Sequence, residues 1–151
     1  MALALSTVLL AGCWGEDIVV GTTDEGVEKR GEAEVRSDLE PLTDRFPALG
    51  SPVGAEWMSG TLGGGRAPGP STYWIDGVVH LEDDVADDLR TLATEQATAA
   101  PTVADDLRDR LPDGPLLRGD ALDETISAGG FAVEAYLDED EPLLVIVAVG
   151  E

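Results

Sequence analysis

Basic residues are scarce in this chain. Nine Lys and Arg stand against 31 Asp and Glu, a formal net charge of −22 at pH 7. Nucleic-acid binding depends on Lys and Arg neutralising phosphates, so this balance argues against nucleic acid as a partner. It also argues against adhesion of the folded part to an anionic bilayer. Cysteine occurs once, at Cys13, so no internal disulfide can form. Histidine occurs once, at His80. That leaves no His-Glu-x-x-His site and no Cys/His spacing for zinc. Aromatic residues make up only 5% of the chain, so aliphatic side chains must fill the core. Beyond the first dozen residues no stretch approaches the ~20 apolar residues that span a bilayer.

Nucleotide and nucleophile signatures are missing too. The glycine-rich stretch 63–70 lacks a following Gly-Lys-Ser/Thr and leads into a strand, not a helix, so it is no phosphate loop. No serine sits in an elbow motif near the one histidine. No cofactor is expected. Carboxylate-pair chemistry, as in glycosidases, has many acids to draw on and no specific motif.

What is present reads as one domain behind a tether. Residues 14–31 show no sustained periodicity and carry Gly15, Gly21, Gly26 and Gly31, as flexible linkers do. Val35, Leu39, Leu42 and Phe46 then fall at helical spacing. Ser37 and Pro41 suit the start of a helix there, and Pro47 and Gly50 its end. Strands are expected over 55–62 and 73–82. In the second, Tyr73, Ile75, Val79 and Leu81 alternate with Trp74, Asp76, Val78 and His80, and the first set is the expected core face. A helix over 83–93 follows, then a second from Thr102 with Val103, Leu107 and Leu111 facing inward. The hexapeptide Val-Ala-Asp-Asp-Leu-Arg occurs at both 85–90 and 103–108, too few copies for a solenoid. A short helix over 120–127 precedes strands at 131–138 and 143–149. The last is apolar on both faces and so belongs inside a sheet covered on both sides. The order implies an α+β fold: a four-stranded, mostly antiparallel sheet with an N-terminal helix and two or three helices between the strand pairs.

An apolar run over 2–11 ends in Leu10-Ala11-Gly12-Cys13 and gives way to an acidic, polar stretch. This resembles the lipobox of bacterial lipoproteins. The resemblance implies a thioether-linked diacylglycerol on Cys13, cleavage before it, and residence at the outer face of the cytoplasmic membrane. Two acyl chains are about what a stable hold requires. The division is then a signal peptide over 1–12, a lipidated cysteine and tether over 13–31, and a single α+β domain over 32–151. A secretory signal opens with positive charge, and residues 1–5 have none; this reading places the true start upstream of Met1. One lysine beside eight arginines, with abundant Ala, Gly and Asp, points to high-GC coding of the actinobacterial kind. The remainder of the chain resembles no characterised family.

Two surface features are candidates for function. Trp74, Val78 and Tyr136 lie off the expected core faces and could form one aromatic patch within a polar rim. The alternative packs Trp74 beneath the helix ending at Phe46 or the loop 63–70. The turn Asp138-Glu139-Asp140-Glu141 offers several oxygens to a cation such as Ca²⁺, without the spacing of a known calcium loop. The expected function is a surface-anchored binding or interaction module of the cell envelope, with a protein or envelope partner. A structural or accessory envelope protein is the alternative, and a carboxylate-based hydrolase the third class.

Overall fold

The computed structural model describes residues 29–30, 34–62 and 71–151. Cys13 and the rest of the lipobox lie outside the described residues, as do 14–28 of the tether and the loop 63–70. In chain order the elements are β1 (Lys29–Arg30), α1 (Glu40–Arg45), a 3-10 turn (Pro47–Leu49), β2 (Gly54–Leu62), β3 (Tyr73–His80) and α2 (Asp83–Arg90). Then come β4 (Glu95–Gln96), a 3-10 helix (Asp105–Arg110), β5 (Leu116–Arg118), α3 (Asp120–Ile126), β6 (Phe131–Asp138) and β7 (Leu143–Gly150). Among the described residues no helix is long and apolar enough to cross a membrane.

All seven strands join one sheet in the order β1-β2-β3-β7-β6-β5-β4. Every pairing is antiparallel. The four strands expected from sequence are β2, β3, β6 and β7, and they form the middle of the sheet. The expected total of four is corrected by β1, β4 and β5. These have two or three residues each, too short for an alternating pattern to register. Lys29 and Arg30, assigned by sequence to the tether, pair with Leu62 and Thr61 at the sheet edge.

β7 lies between β3 and β6, and its composition explains why. Leu144, Ile146 and Ala148 are fully buried on one face, in a core shared with Leu42 of α1, Leu89 of α2, and Leu122 and Ile126 of α3. Val145 is fully buried on the other face, against Met58, Trp74, Val78, Leu107 and Tyr136. The sheet is therefore the middle layer of three. Gly77 sits opposite Trp57, and a Cβ there would stand 3.1 Å from the Trp57 Cβ. Its bare backbone admits the indole, whose Nε1 donates to the Asp38 carbonyl at 2.9 Å.

The helix expected from Thr102 is a correction. Ala104 is extended (ψ 147), and only 105–110 coil, as a 3-10 helix. Ala104 turns its N–H to the Asp76 carboxylate at 2.8 Å.

Gly119, between β5 and α3, is a tight joint. A Cβ there would lie 2.3 Å from the Leu92 carbonyl oxygen, while the Gly119 carbonyl accepts from the N–H groups of Leu122 and Asp123 at 3.0 Å each. Backbone on both sides leaves little room to yield. Gly119→Ala should therefore cost about 1–3 kcal/mol by overpacking, read by urea denaturation. An unchanged midpoint would show that residues 92–94 move aside freely.

Candidate functional site

Trp74, Val78 and Tyr136 do share one face of the sheet. Val78 and Tyr136 flank Val145 in register, and all three belong to the second core cluster. They are not a surface. Their exposures are 2%, 2% and 6%, because the chain from 97 to 111 crosses back over this face and inserts Val103 and Leu107. The expected patch is thus corrected to a second core. The cover over Trp74 is this segment, not α1, which packs on the opposite face with Leu42 and Phe46.

Asp76, which alternates along β3 on the same face as Trp74 and Val78, is buried at 0% exposure. Both of its oxygens accept from the Lys29 ammonium, at 2.8 and 2.6 Å. Lys29 also donates to the Thr102 carbonyl at 3.1 Å and stands 5.5 Å from the Trp74 ring centre. One carboxylate therefore joins β1, β3 and the covering segment. Burial pushes Asp76 above its ordinary value, against the opposing pull of the Lys29 bond and charge and of the Ala104 N–H.

The acidic turn is corrected as a cation site. Asp138 is 3% exposed, and its Oδ1 accepts from the N–H groups of Asp140 and Glu141 at 2.9 and 2.8 Å. It holds the β6–β7 turn in shape, and a Cβ at Gly114 would come within 2.8 Å of its Oδ2. Glu139, Asp140 and Glu141 are exposed. Among the described residues no three His, Asp or Glu side chains are grouped to hold a metal ion. His80 is exposed at the end of β3.

The most structured polar cavity lies at the other edge of the sheet. It has a volume of about 200 Å³ and is lined by the stretch 95–99, Arg118, Gly119, Asp120, Asp123 and Tyr136. β5 delivers Arg118, whose guanidinium stacks 4.7 Å from the centre of the Tyr136 ring. Its Nη2 donates to Asp123 at 3.0 Å. The other oxygen of Asp123 accepts the Ala135 N–H at 2.8 Å, which fixes the carboxylate between α3 and β6. The Tyr136 hydroxyl donates to Glu134 at 3.0 Å. Desolvation and the Glu134 bond push Tyr136 upward. Arg118 is held above its ordinary value despite burial, by Tyr136, Asp123 and Glu134.

One atom of this site is incomplete. Among the described residues Arg118 Nε is the single buried side-chain nitrogen or oxygen without a hydrogen-bond partner. A buried donor left unmatched costs about 1–3 kcal/mol. A larger hollow of about 500 Å³ opens at the far end of the sheet between Arg45, Tyr73, Phe131 and Glu151. Among the described residues it holds no such unmatched atom. The comparisons decide nothing further. No protein-family model, curated protein or solved structure matches this chain.

Sequence reasoning did not single out Arg118, Asp123 or Glu95. Arg118 is one of eight arginines, and nothing in its neighbours marks it. A single signal was available: a lone basic residue in the short apolar run before Gly119-Asp120, next to a predicted helix.

Proposed function

We propose that this protein is a lipid-anchored binding module of the bacterial cell envelope, held on the outer face of the membrane through Cys13. The anchor rests on Leu10-Ala11-Gly12-Cys13. The observation that carries the binding reading is the Arg118 cavity, a concave polar site of about 200 Å³. An enzyme is less favoured by the side chains themselves. The most enclosed carboxylates, Asp76, Asp123 and Asp138, each accept backbone N–H bonds and so are already engaged in holding the fold.

Both halves of the reading can be tested in a bacterial host. The wild-type protein should incorporate labelled fatty acid and sediment with membranes. Cys13→Ala should abolish the label and release the protein to the soluble fraction. Label retained by the mutant would sink the anchor. For the module, the full chain carrying Cys13→Ala serves as bait against envelope extracts. Retention of nothing beyond what an acid-matched control protein retains would count against binding and favour a structural or accessory role.

A further inference from the structure

The first core stops short of one end of the sheet. Across that end Thr61, Tyr73, Gly150 and Phe131 form a cross-strand row on the core face. Ile75, on the same face one row in, is 3% exposed, whereas Tyr73 is 46% exposed. Phe131 Cδ1 lies 2.8 Å from where a Gly150 Cβ would stand, so its ring leans over β7 towards Tyr73. The hollow of about 500 Å³ lies between these residues and Arg45 of α1, with Ile75 also in its lining. Its aromatic walls suit an apolar occupant.

The N-terminal part of the chain leaves the fold at this same end. β1 is antiparallel to β2 with Lys29 opposite Leu62, so the residues before Lys29 depart past Thr61 and Leu62. Within 14–28 the one run of three apolar residues is Ile18-Val19-Val20, joined to Lys29 by the eight residues 21–28. The midpoint between Tyr73 and Phe131 lies over β7, three strands from β1, or about 14 Å at ~4.8 Å per strand. Eight residues of flexible chain average about 14–17 Å end to end. A linker whose mean length matches the span gives the highest effective concentration, an advantage that no separate partner has. We propose that Ile18-Val19-Val20 docks in the hollow between Tyr73 and Phe131. In the anchored protein proposed above, only residues 14–17 would then separate the lipid from the docked run, which turns this end of the sheet to the bilayer. That orientation rests on the Cys13 reading; the docking does not.

The test uses the full chain carrying Cys13→Ala and Glu16→Cys, labelled with ¹⁵N and with a nitroxide on the new cysteine, now its only one. Expected is strong broadening of the Tyr73, Ile75 and Phe131 amides, relative to the reduced label, with Leu116 and Arg118 at the opposite edge of the sheet unaffected. Replacing Ile18, Val19 and Val20 together by Ser should weaken that broadening severalfold. Should the triple variant not fold, Tyr73→Ser decides, because it removes a wall of the hollow from the other side and should release the label likewise. Broadening confined to the β1–β2 edge would overturn the proposal. Broadening unchanged in the triple variant would do the same, and would assign the hollow to the apolar run 2–11. So would broadening seen when nitroxide-bearing chains without ¹⁵N are mixed with unlabelled ¹⁵N chains, since the occupant would then be a second copy. The fatty-acid label reports on the anchor separately, so either idea can fail while the other stands.

Discussion

Trp74→Ala should lower the urea midpoint sharply, at a cost of about 3–5 kcal/mol. Trp74 is 2% exposed and packs with Met58 and Val103 in the second core. Its removal would open a cavity that the sheet cannot collapse to fill, because β3 is held between β2 and β7 along its full length. The covering segment would lose much of what it packs on, since few large side chains line this second core. Amide exchange over 97–111 should therefore quicken in the variant more than exchange over α2 or α3, which pack on the other face. A loss below about 0.5 kcal/mol, the scale of a surface change, would mean that the cover does not close on Trp74 and would restore the exposed patch.

Asp76→Ala should cost about 3 kcal/mol, the lower end of what breaking a buried pair costs when one partner stays behind. The lower end applies because the Lys29 side chain is 21% exposed and can turn to water. The Ala104 N–H cannot, and it would lose its acceptor. Asp76→Asn should cost less, since the amide oxygen still accepts that N–H. This pair of variants also gives a pH signature. Burial raises Asp76 above its ordinary 3.8 in the folded chain, so the folded state binds the proton more tightly than the unfolded one. The contribution of this group to stability is then fully present below 3.8 and is lost as pH rises through the elevated folded value. Wild type should gain on Asp76→Asn as pH falls across that interval, measured as the difference between their unfolding free energies. A difference that shrinks on acidification would show that Lys29 outweighs burial and holds Asp76 low.

Much of the sheet was legible because period-two alternation needs only a few residues to show. The apolar run 143–149 marked an interior strand, and β7 is one. Two small helices were read from their flanking residues, α1 from Pro41 with Pro47 beyond it and α3 from Asp120 with the glycines that follow, although their N-caps are Leu39 and Gly119 and neither makes a side-chain cap bond. The edge strands were not legible. β4 and β5 are strands through the partner each pairs with, and two or three residues carry no period of their own. The candidate site was equally hidden. Arg118, Asp123 and Tyr136 are brought together by β5, α3 and β6, and their separation in sequence says nothing of the stack between the first and the last.

The sequence alone determined the net charge of −22, the four long strands, and the apolar content that forces β7 inside. Which face is covered, and by what, was decided by tertiary structure. The repeated hexapeptide shows the physical reason. At 85–90 it lies within α2, entered through Asp83 and Asp84, and buries Ala86 and Leu89 against the first core. At 103–108 the same six residues follow Pro101. Ala104 is drawn extended by the Asp76 carboxylate, Val103 and Leu107 go down onto Trp74 and Val145, and the remainder winds as a 3-10 helix. Local propensity is identical in the two copies, and it is weak enough that one buried acceptor and one hydrophobic surface set the outcome. The same surface turned Trp74, Val78 and Tyr136 from an expected docking patch into core.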